Sequence, residues 1–569
     1  MRRIRASKVV NMEVDSTSSS NITDQNLNTS MHGDDDVMKC YFITQMESLI
    51  SLMKNTLCIG CSNRWNGSLS IERRDGLYLH LVFTCSSCGN VTDLHSSPKL
   101  QDTRRYEVNV RLAIGGTLSG IGHSGVKKLL GVMNLPAPVD EEYYSKTQTY
   151  IIDHVSRAQQ IIIMAVAVNE AVLEGGGNKQ LTVSGDGAWL TRGHTSAHGV
   201  AALCSTARCP KILDTNWLSK RCSKCQGSES LRQQDPELFE MFKETHDCQI
   251  NYEGASGSME KELIHQMFCR SVSKYDVKYT SFIGDGDAKV HKYLLENPPY
   301  SDVKIKKIED VNHFAKHGKK LHGKGRMTDG QAIKFKIYFG KAIRENKSNL
   351  DNMYKRSWAI FKHRYSTNDE PMHEWCQYLQ AAANGQTSDH SKSSIPRPCL
   401  DMIKPAFDEL CSRESLERVV EGGSQNANEA FHSLLWTMVP KHRYWSSTII
   451  RIALGLSAMV FNDGYISLNK LFASIFGAIG HYTTECFGRL DEIRKHTAFK
   501  EKTRRRKLSK IKTTTMTGSS GSDDDGVLYM INDDYVGDYS DDDSKIDESA
   551  ESEEGESEED DAYEAGGDD

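Results

Sequence analysis

The sequence predicts an α/β protein built on a mixed β-sheet, with a small zinc-ribbon-type unit before the sheet, a largely helical segment after it and an acidic, disordered tail. Three observations point there. Residues 179–312 alternate strand-like and helix-like segments in the order a mixed sheet requires. Two Cys-x-x-Cys pairs flank an alternating apolar run near the N-terminus. A hydrophobic content of 38% over 569 residues is enough for at least one sizeable core, while both ends of the chain are polar.

Taken in order, residues 1–37 are rich in Ser, Thr, Asn and Asp and poor in large apolar groups. They cannot bury enough surface to offset ordering entropy, so disorder is expected. Residues 38–107 contain LYLHLVFTC, where Leu77, Leu79, Leu81 and Phe83 would share one strand face. Residues 108–178 read as helical; within them GGTLSGIGHSGVKKLLGVMNLP forms two short apolar-periodic pieces joined by glycine turns, suited to packing or to DNA contact. The stretch IIIMAVAVNEAVL belongs to a run of only 11 uncharged residues between Arg157 and Asn169. A membrane helix needs roughly 20, so a buried helix and no membrane association are expected. The N-terminus is charged and then polar, without the apolar region of an export signal.

Residues 179–312 begin with three strands, QLTVSGDG, GVAALCS and KILDTNWLSK, that could form a meander. Helix SGSMEKELIHQMFCRSV, strand YTSFIGDGD, helix AKVHKYLLEN and strand VKIKKIEDV follow. Residues 313–490 are mostly helical. Residues 491–512 read as a basic linker carrying Lys502, Arg504, Arg505, Arg506 and Lys507, either a solvated connector or a nuclear-import or nucleic-acid patch. Residues 513–569 hold 22 acidic residues against one lysine. The net charge of −7 therefore hides a body, residues 1–512, with 69 basic and 55 acidic residues. Such a body suits a polyanionic partner.

The chemistry concentrates in a few places. Asp186 closes the first strand in SGDGAW and Asp285 the later strand in FIGDGD, each between two glycines that would let a phosphate backbone approach. Carboxylates leaving different strands can share a pair of divalent cations for in-line phosphodiester displacement, for which magnesium is suited. Asp-Gly also marks ordinary turns, and Asp287 is both a helix N-cap and the fallback for Asp285. In SQNANEAFHSLLW, residues Asn426, Glu429, Ser433 and Trp436 share one helical face from which an acid can be aimed inward. Cys58, Cys61, Cys85 and Cys88, with 23 residues between the pairs, supply four thiolates for a structural zinc. Cys222, Cys225, His246 and Cys248 offer a second Cys₃His set, although His246 could equally be a surface side chain and Cys248 a small core residue.

At these residues the chain resembles the Mutator-like transposase domain of animal genomes. The resemblance runs from about 58 to 490 and rests on SGDGAWLTRGH, LSKRCSKC, HDCQINYEGASGSMEKE, YTSFIGDGD and QNANEAFHSLLW in that order. It implies a ribonuclease H-like DDE core with metal-binding acids at Asp186, Asp285 and Glu429, residues 313–420 as a helical insertion, and residues 421–490 completing the core. The family's Cys-x-x-His after the second acid reads Asp310, Val311, Asn312, His313 here, so Asp310 stands at the Cys position. His313 and Asn426 are accessory candidates. The family's Cys-rich patch shortens to TNDEPMHEWCQY, with His373 and Cys376.

The expectation is a nuclear transposase or a domesticated descendant. It would bind double-stranded DNA at transposon ends and target sites, act as a homo-oligomer on DNA, and use Mg²⁺ or Mn²⁺ with structural Zn²⁺. The alternatives are an inactive DNA-binding or chromatin protein and a metal-dependent nuclease that does not join strands.

Overall fold

A computed structural model describes residues 39–191, 196–207, 209–246, 248–284, 289–310, 329–365, 385, 395–421 and 423–516. The expected disordered N-terminus and, from residue 517 on, the acidic tail, and with them Asp285, Asp287, His313, His373 and Cys376, lie outside the described residues. Residues 513–516, expected as the start of that tail, are helical.

Helix α1 (Met46–Met53) precedes a three-stranded antiparallel meander of β1 (Ser68–Asp75), β2 (Tyr78–Thr84) and β3 (Val91–His95). Leu79, Leu81 and Phe83 of β2 face inward, as the alternation predicts, and pack with Trp65 and the cysteines Cys58 and Cys85. The β1–β2 turn needs Gly76, whose φ is +60° and where a Cβ would fall 2.6 Å from Asn109 Oδ1. That close approach docks the hairpin. Asn109 accepts from the Leu77 N–H (3.0 Å) and donates to Asp75 O (2.7 Å), tying the turn to helix α2 (Glu107–Leu118).

Helices α3 (Gly122–Val132) and α4 (Glu141–Arg157) follow, and α4 continues through a π-helical segment, Ala158–Met164, into α5 (Ala165–Glu174). The run Glu141–Glu174 is apolar and long enough to cross a membrane by composition, but 56% of its most apolar window is buried inside the protein. Ile151, Ile152, Val155, Ile163 and Met164 are core residues, so it behaves as the buried helix the sequence predicts.

The central sheet has the order β6-β5-β4-β7-β8, with β4 (Gln180–Trp189), β5 (His198–Ser205), β6 (Ile212–Ser219), β7 (Lys278–Gly284) and β8 (Lys306–Glu309). The first three strands form an antiparallel meander; β7 and β8 run parallel to β4. A parallel return needs a crossover, supplied by α9 (Met259–Tyr275) between β6 and β7 and by α10 (Lys289–Glu296) between β7 and β8. Between β6 and α9 the chain makes an excursion through α6 (Ser223–Gly227), α7 (Glu229–Gln234) and α8 (Pro236–Thr245).

Beyond β8 run α11 (Asp329–Glu345), α12 (Leu350–Tyr365), α13 (Arg397–Leu410) and α14 (Arg413–Glu417), which share their own apolar cluster around Phe335, Phe361 and Phe407. Then come α15 (Asn426–Met438), α16 (Ser447–Asp463), α17 (Leu468–Phe476) and α18 (His481–Met516). The basic run read as a linker over 491–512 lies within α18, whose helix carries on to Met516.

Two cores cover the two sheet faces. Strand alternation sends Val183, Ala201 and Leu203 toward α9, while Ala202 and Cys204 turn to the other side and share a core with residues of α2, α4, α15 and α16. This sandwich places the N-terminus of α15 over the middle of β4.

Candidate functional site

Asp186 sits on β4 opposite Ala202, on the face covered by α15. Its carboxylate Oδ2 is 3.3 Å from His432 Nδ1, and the side chain keeps 30% exposure while that of His432 keeps 7%. His432 Nε2 is buried without a partner, so the neutral tautomer that places the proton on Nδ1 is the one that suits the contact. The ring then holds the acid in one orientation.

Polar groups on the buried side of α15 fix its position. Asn428 accepts from Ser184 Oγ (2.6 Å) and donates to Ala202 O (2.8 Å). Gln425 Nε2 donates to Gly185 O (2.7 Å), and the Gln425 N–H donates to Asp310 Oδ2 (3.4 Å). The Asp310 N–H donates in turn to Gly284 O (3.0 Å), at the end of β7. Gly423 allows this approach, because a Cβ there would lie 2.4 Å from Ile283 Cδ1. Asp310, at 1% exposure, is thus a buried tie between α15 and the sheet.

Three sequence expectations change. Asp186 is not at a strand end: β4 continues to Trp189, because β5 pairs with it as far as Gly199. Its flanking glycines do not open the acid's own face. Alternation turns them to the other side, where a Cβ on Gly185 would fall 2.6 Å from Phe282 and one on Gly187 2.7 Å from Glu260 Cγ. They admit the core and α9. The face of Asn426, Glu429, Ser433 and Trp436 is not the core-facing one either. Burial of Phe431, Leu435 and Met438 rotates Asn428 and His432 inward and leaves Glu429 and Ser433 exposed.

Glu429 nevertheless stands one turn before His432 on α15, and His432 touches Asp186. The two acids therefore border the same end of the helix. Asp285 follows Gly284 directly in the chain but lies outside the described residues. Gln425, Asn428 and His432 went unassigned in the sequence reading. Their signal was available: they are polar residues interrupting an apolar stripe at helical spacing.

Both cysteine-rich sets come together. The ligand atoms of Cys58, Cys61, Cys85 and Cys88 all lie within 4.8 Å of one another, as do those of Cys222, Cys225, His246 and Cys248. A tetrahedron with Zn–S bonds of about 2.3 Å has edges of about 3.8 Å. The separations fit: Cys58 to Cys88 is 3.6 Å, Cys61 to Cys85 4.0 Å and Cys225 to Cys248 3.6 Å. His246 Nε2 lies 3.5 and 3.4 Å from Cys222 and Cys225, while its Nδ1 bonds Phe242 O at 2.7 Å. That second bond fixes the tautomer and aims Nε2 at the thiols. His246 and Cys248 thus belong to the cluster.

The first cluster is built from twin turns: Ser62 (φ 59°) and Gly89 (φ 71°) adopt the left-handed conformation and donate to the carbonyls of Cys58 and Cys85. Burial works to raise the Cys85 thiol, but N–H groups of Ser87 and Cys88 and the neighbouring thiols take it down to about 7. Burial opposes likewise at Cys222, where backbone groups of Gln249 and Cys225 and the His246 ring lower it to about 7. In each set a partner thiol moves the other way. At Cys88 the backbone N–H of Asn90 lowers the thiol, but burial and the neighbouring thiols outweigh it and push it up to about 12. Burial, with the Cys248 and Cys222 neighbours, pushes Cys225 up to about 12 as well. Without a cation, therefore, only part of each set is poised as thiolate.

His198 opens β5 at 3% exposure with neither ring nitrogen bonded. Burial first, and the Arg221 charge second, push its pKa down from 6.5 to about 4. The unfolded chain then takes up a proton at higher pH than the folded one. The stability contributed is complete above the unfolded pKa and is lost as pH falls through the folded value, an effect on the order of 3 kcal/mol. Denaturant midpoints should fall between pH 6.5 and pH 4. His198→Phe should flatten that slope, and an unchanged slope would exclude His198 as its source.

The fold and its sites therefore define an α/β protein with two sites that could each hold a zinc ion and a carboxylate beside a helix at mid-sheet. The family model of the Mutator-like transposase matches residues 40–381, and the chain belongs to that family. The matched span includes Asp186 and Asp285 and ends before Glu429. No curated protein matches the chain.

Proposed function

We propose that the chain is a nuclear DDE transposase with a ribonuclease H-like core, cutting transposon ends and joining them to target DNA. The observation that carries this reading is the meeting of β4 and α15, where Asp186 touches His432 one turn from Glu429. The strand order and directions support the fold assignment: an antiparallel trio followed by two parallel strands. The register adds to it. Ser184 pairs with Ile283, and Asp186 and Asp285 each follow their partner by two residues in sequence.

Asp186 fits a hard divalent cation, being a partly exposed carboxylate with its second side held by a histidine. Mg²⁺ or Mn²⁺ held by Asp186, Asp285 and Glu429 would supply the Lewis acidity that in-line displacement at phosphorus requires. The protein's own part is positional. His432 orients Asp186, while Gln425 and Asn428 lock α15 to the β4 backbone, so that Glu429 is carried on a helix with little freedom to shift. Zinc in the two cysteine-rich clusters would be structural, since four protein ligands leave no open position. A homo-oligomer would engage the two element ends.

Purified protein incubated with labelled duplex DNA and Mg²⁺ or Mn²⁺ tests the reading. Metal-dependent nicking that is lost in Glu429→Gln, together with joined products, is expected. Nicking without joined products would identify a nuclease. Binding without nicking under either metal would identify a domesticated DNA-binding protein.

A further inference from the structure

Two acid-free basic segments meet on one surface at the end of α15 opposite the proposed catalytic acids. Residues 217–226 read WLSKRCSKCQ and residues 440–445 read PKHRYW. The first leads into the Cys₃His cluster; the second is the loop after α15. Tyr444 Oη donates to Gln226 Oε1 (3.5 Å), and Gln249 Nε2 donates to Thr448 Oγ1 (2.8 Å). The Arg451 guanidinium lies 4.8 Å from the centre of the Trp217 ring. Arg443 holds the loop from its other side through Gly120 O (3.1 Å). The cluster and the loop are therefore one connected surface.

Arg221, Lys224, Lys441 and Arg443 are exposed on it, with Lys220 half-exposed, and neither segment contains Asp or Glu. From there the exposed face of α15 leads back to Glu429. Trp436, half-buried with Lys441 Nζ 4.7 Å from its ring centre, is seven residues from Glu429. At 1.5 Å per residue that is about 10 Å along the same helical face. This is about three 3.4 Å nucleotide steps of one DNA strand.

We infer that this surface binds the phosphodiester backbone of duplex DNA and leads the strand along α15 to the acids. The inference rests on the transposase reading for what happens at the acids, but not for the binding itself. Within the two segments the charge is of one sign, which favours a polyanion over a mixed-charge protein face, while the exposed acids of the cluster segment begin only at Glu229, on α7 and α8. The aromatic and lysine pair suits a nucleotide beside a phosphate.

The test measures binding of a duplex oligonucleotide as a function of salt, in full-length protein carrying Asp186→Asn so that no turnover intervenes. A triple variant, Arg221→Gln, Lys224→Gln and Lys441→Gln, should lower the slope of log affinity against log salt by roughly 2 to 3, near 0.9 per lost phosphate contact. Its zinc content should stay that of the parent, which separates charge loss from collapse of the cluster. A companion carrying Lys224→Arg and Lys441→Arg should keep the parental slope. An unchanged slope in the triple variant overturns the inference, even if nicking by the wild-type protein is robust. A lowered slope in a protein that never nicks leaves the surface standing and removes the transposase reading instead.

Discussion

Asp186→Asn should lower metal-dependent strand cleavage by about 10³-fold or more, while folding and DNA binding stay near wild type. Asparagine keeps the shape and one oxygen acceptor, so the contact with His432 Nδ1, at 3.3 Å in the native protein, can survive. It lacks the negative charge that a divalent cation needs. Asp186 touches α15 through His432, but Gln425 and Asn428 hold that helix to the β4 and β5 backbone independently of it. A loss of activity without a loss of stability is therefore the expected signature. Wild-type nicking by the variant would remove Asp186 from the site, and a fall in thermal stability would assign it a structural part instead.

Breaking the Cys₃His cluster should have the largest structural effect. Zinc binding at a structural site of this type contributes about 10 kcal/mol or more of apparent free energy, and the segment that it closes has little other core. Among the described residues its apolar surroundings are Phe239, the half-buried Leu231 and Ile250, and the Phe242 ring against His246. Cys225→Ser should halve the zinc content from two to one per chain and open residues 221–250 to protease. The β6-β5-β4 meander should remain, because its packing on α9 and α16 is independent of the cluster. Zinc content unchanged in the variant would show that Cys225 is no ligand. Because Gln226 and Gln249 reach Tyr444 and Thr448, the same variant should also weaken DNA binding at the basic surface.

Alternating apolar patterns were sufficient to mark all five strands of the central sheet and the crossover helices between them, and regular cysteine spacing marked both clusters. These are local signals: a period of two, a period of 3.6 and a Cys-x-x-Cys turn each repeat within a few residues. The environment of the acids was less legible. The glycines beside Asp186 looked like room for a phosphate, yet they make room for Phe282 and Glu260. Nothing in SGDGAW states which side of β4 will be covered by α9. The rotation of α15 was likewise hidden, since its face with Glu429 and its face with His432 are both partly polar.

By itself, then, the sequence determined the strands and crossover helices of the central sheet, the four-cysteine set and the charge division of the chain, because each depends on neighbours or on composition. The structure decided that His246 and Cys248 join the second set and that 491–512 is helical. Tertiary structure alone decided which face of β4 carries Asp186, that His432 meets it, that Asp310 is a buried tie, and that two basic segments more than 200 residues apart share one surface. Those outcomes depend on long-range packing, in which burial of Phe431, Leu435 and Met438 sets how α15 is turned and so which of its polar groups reach the sheet.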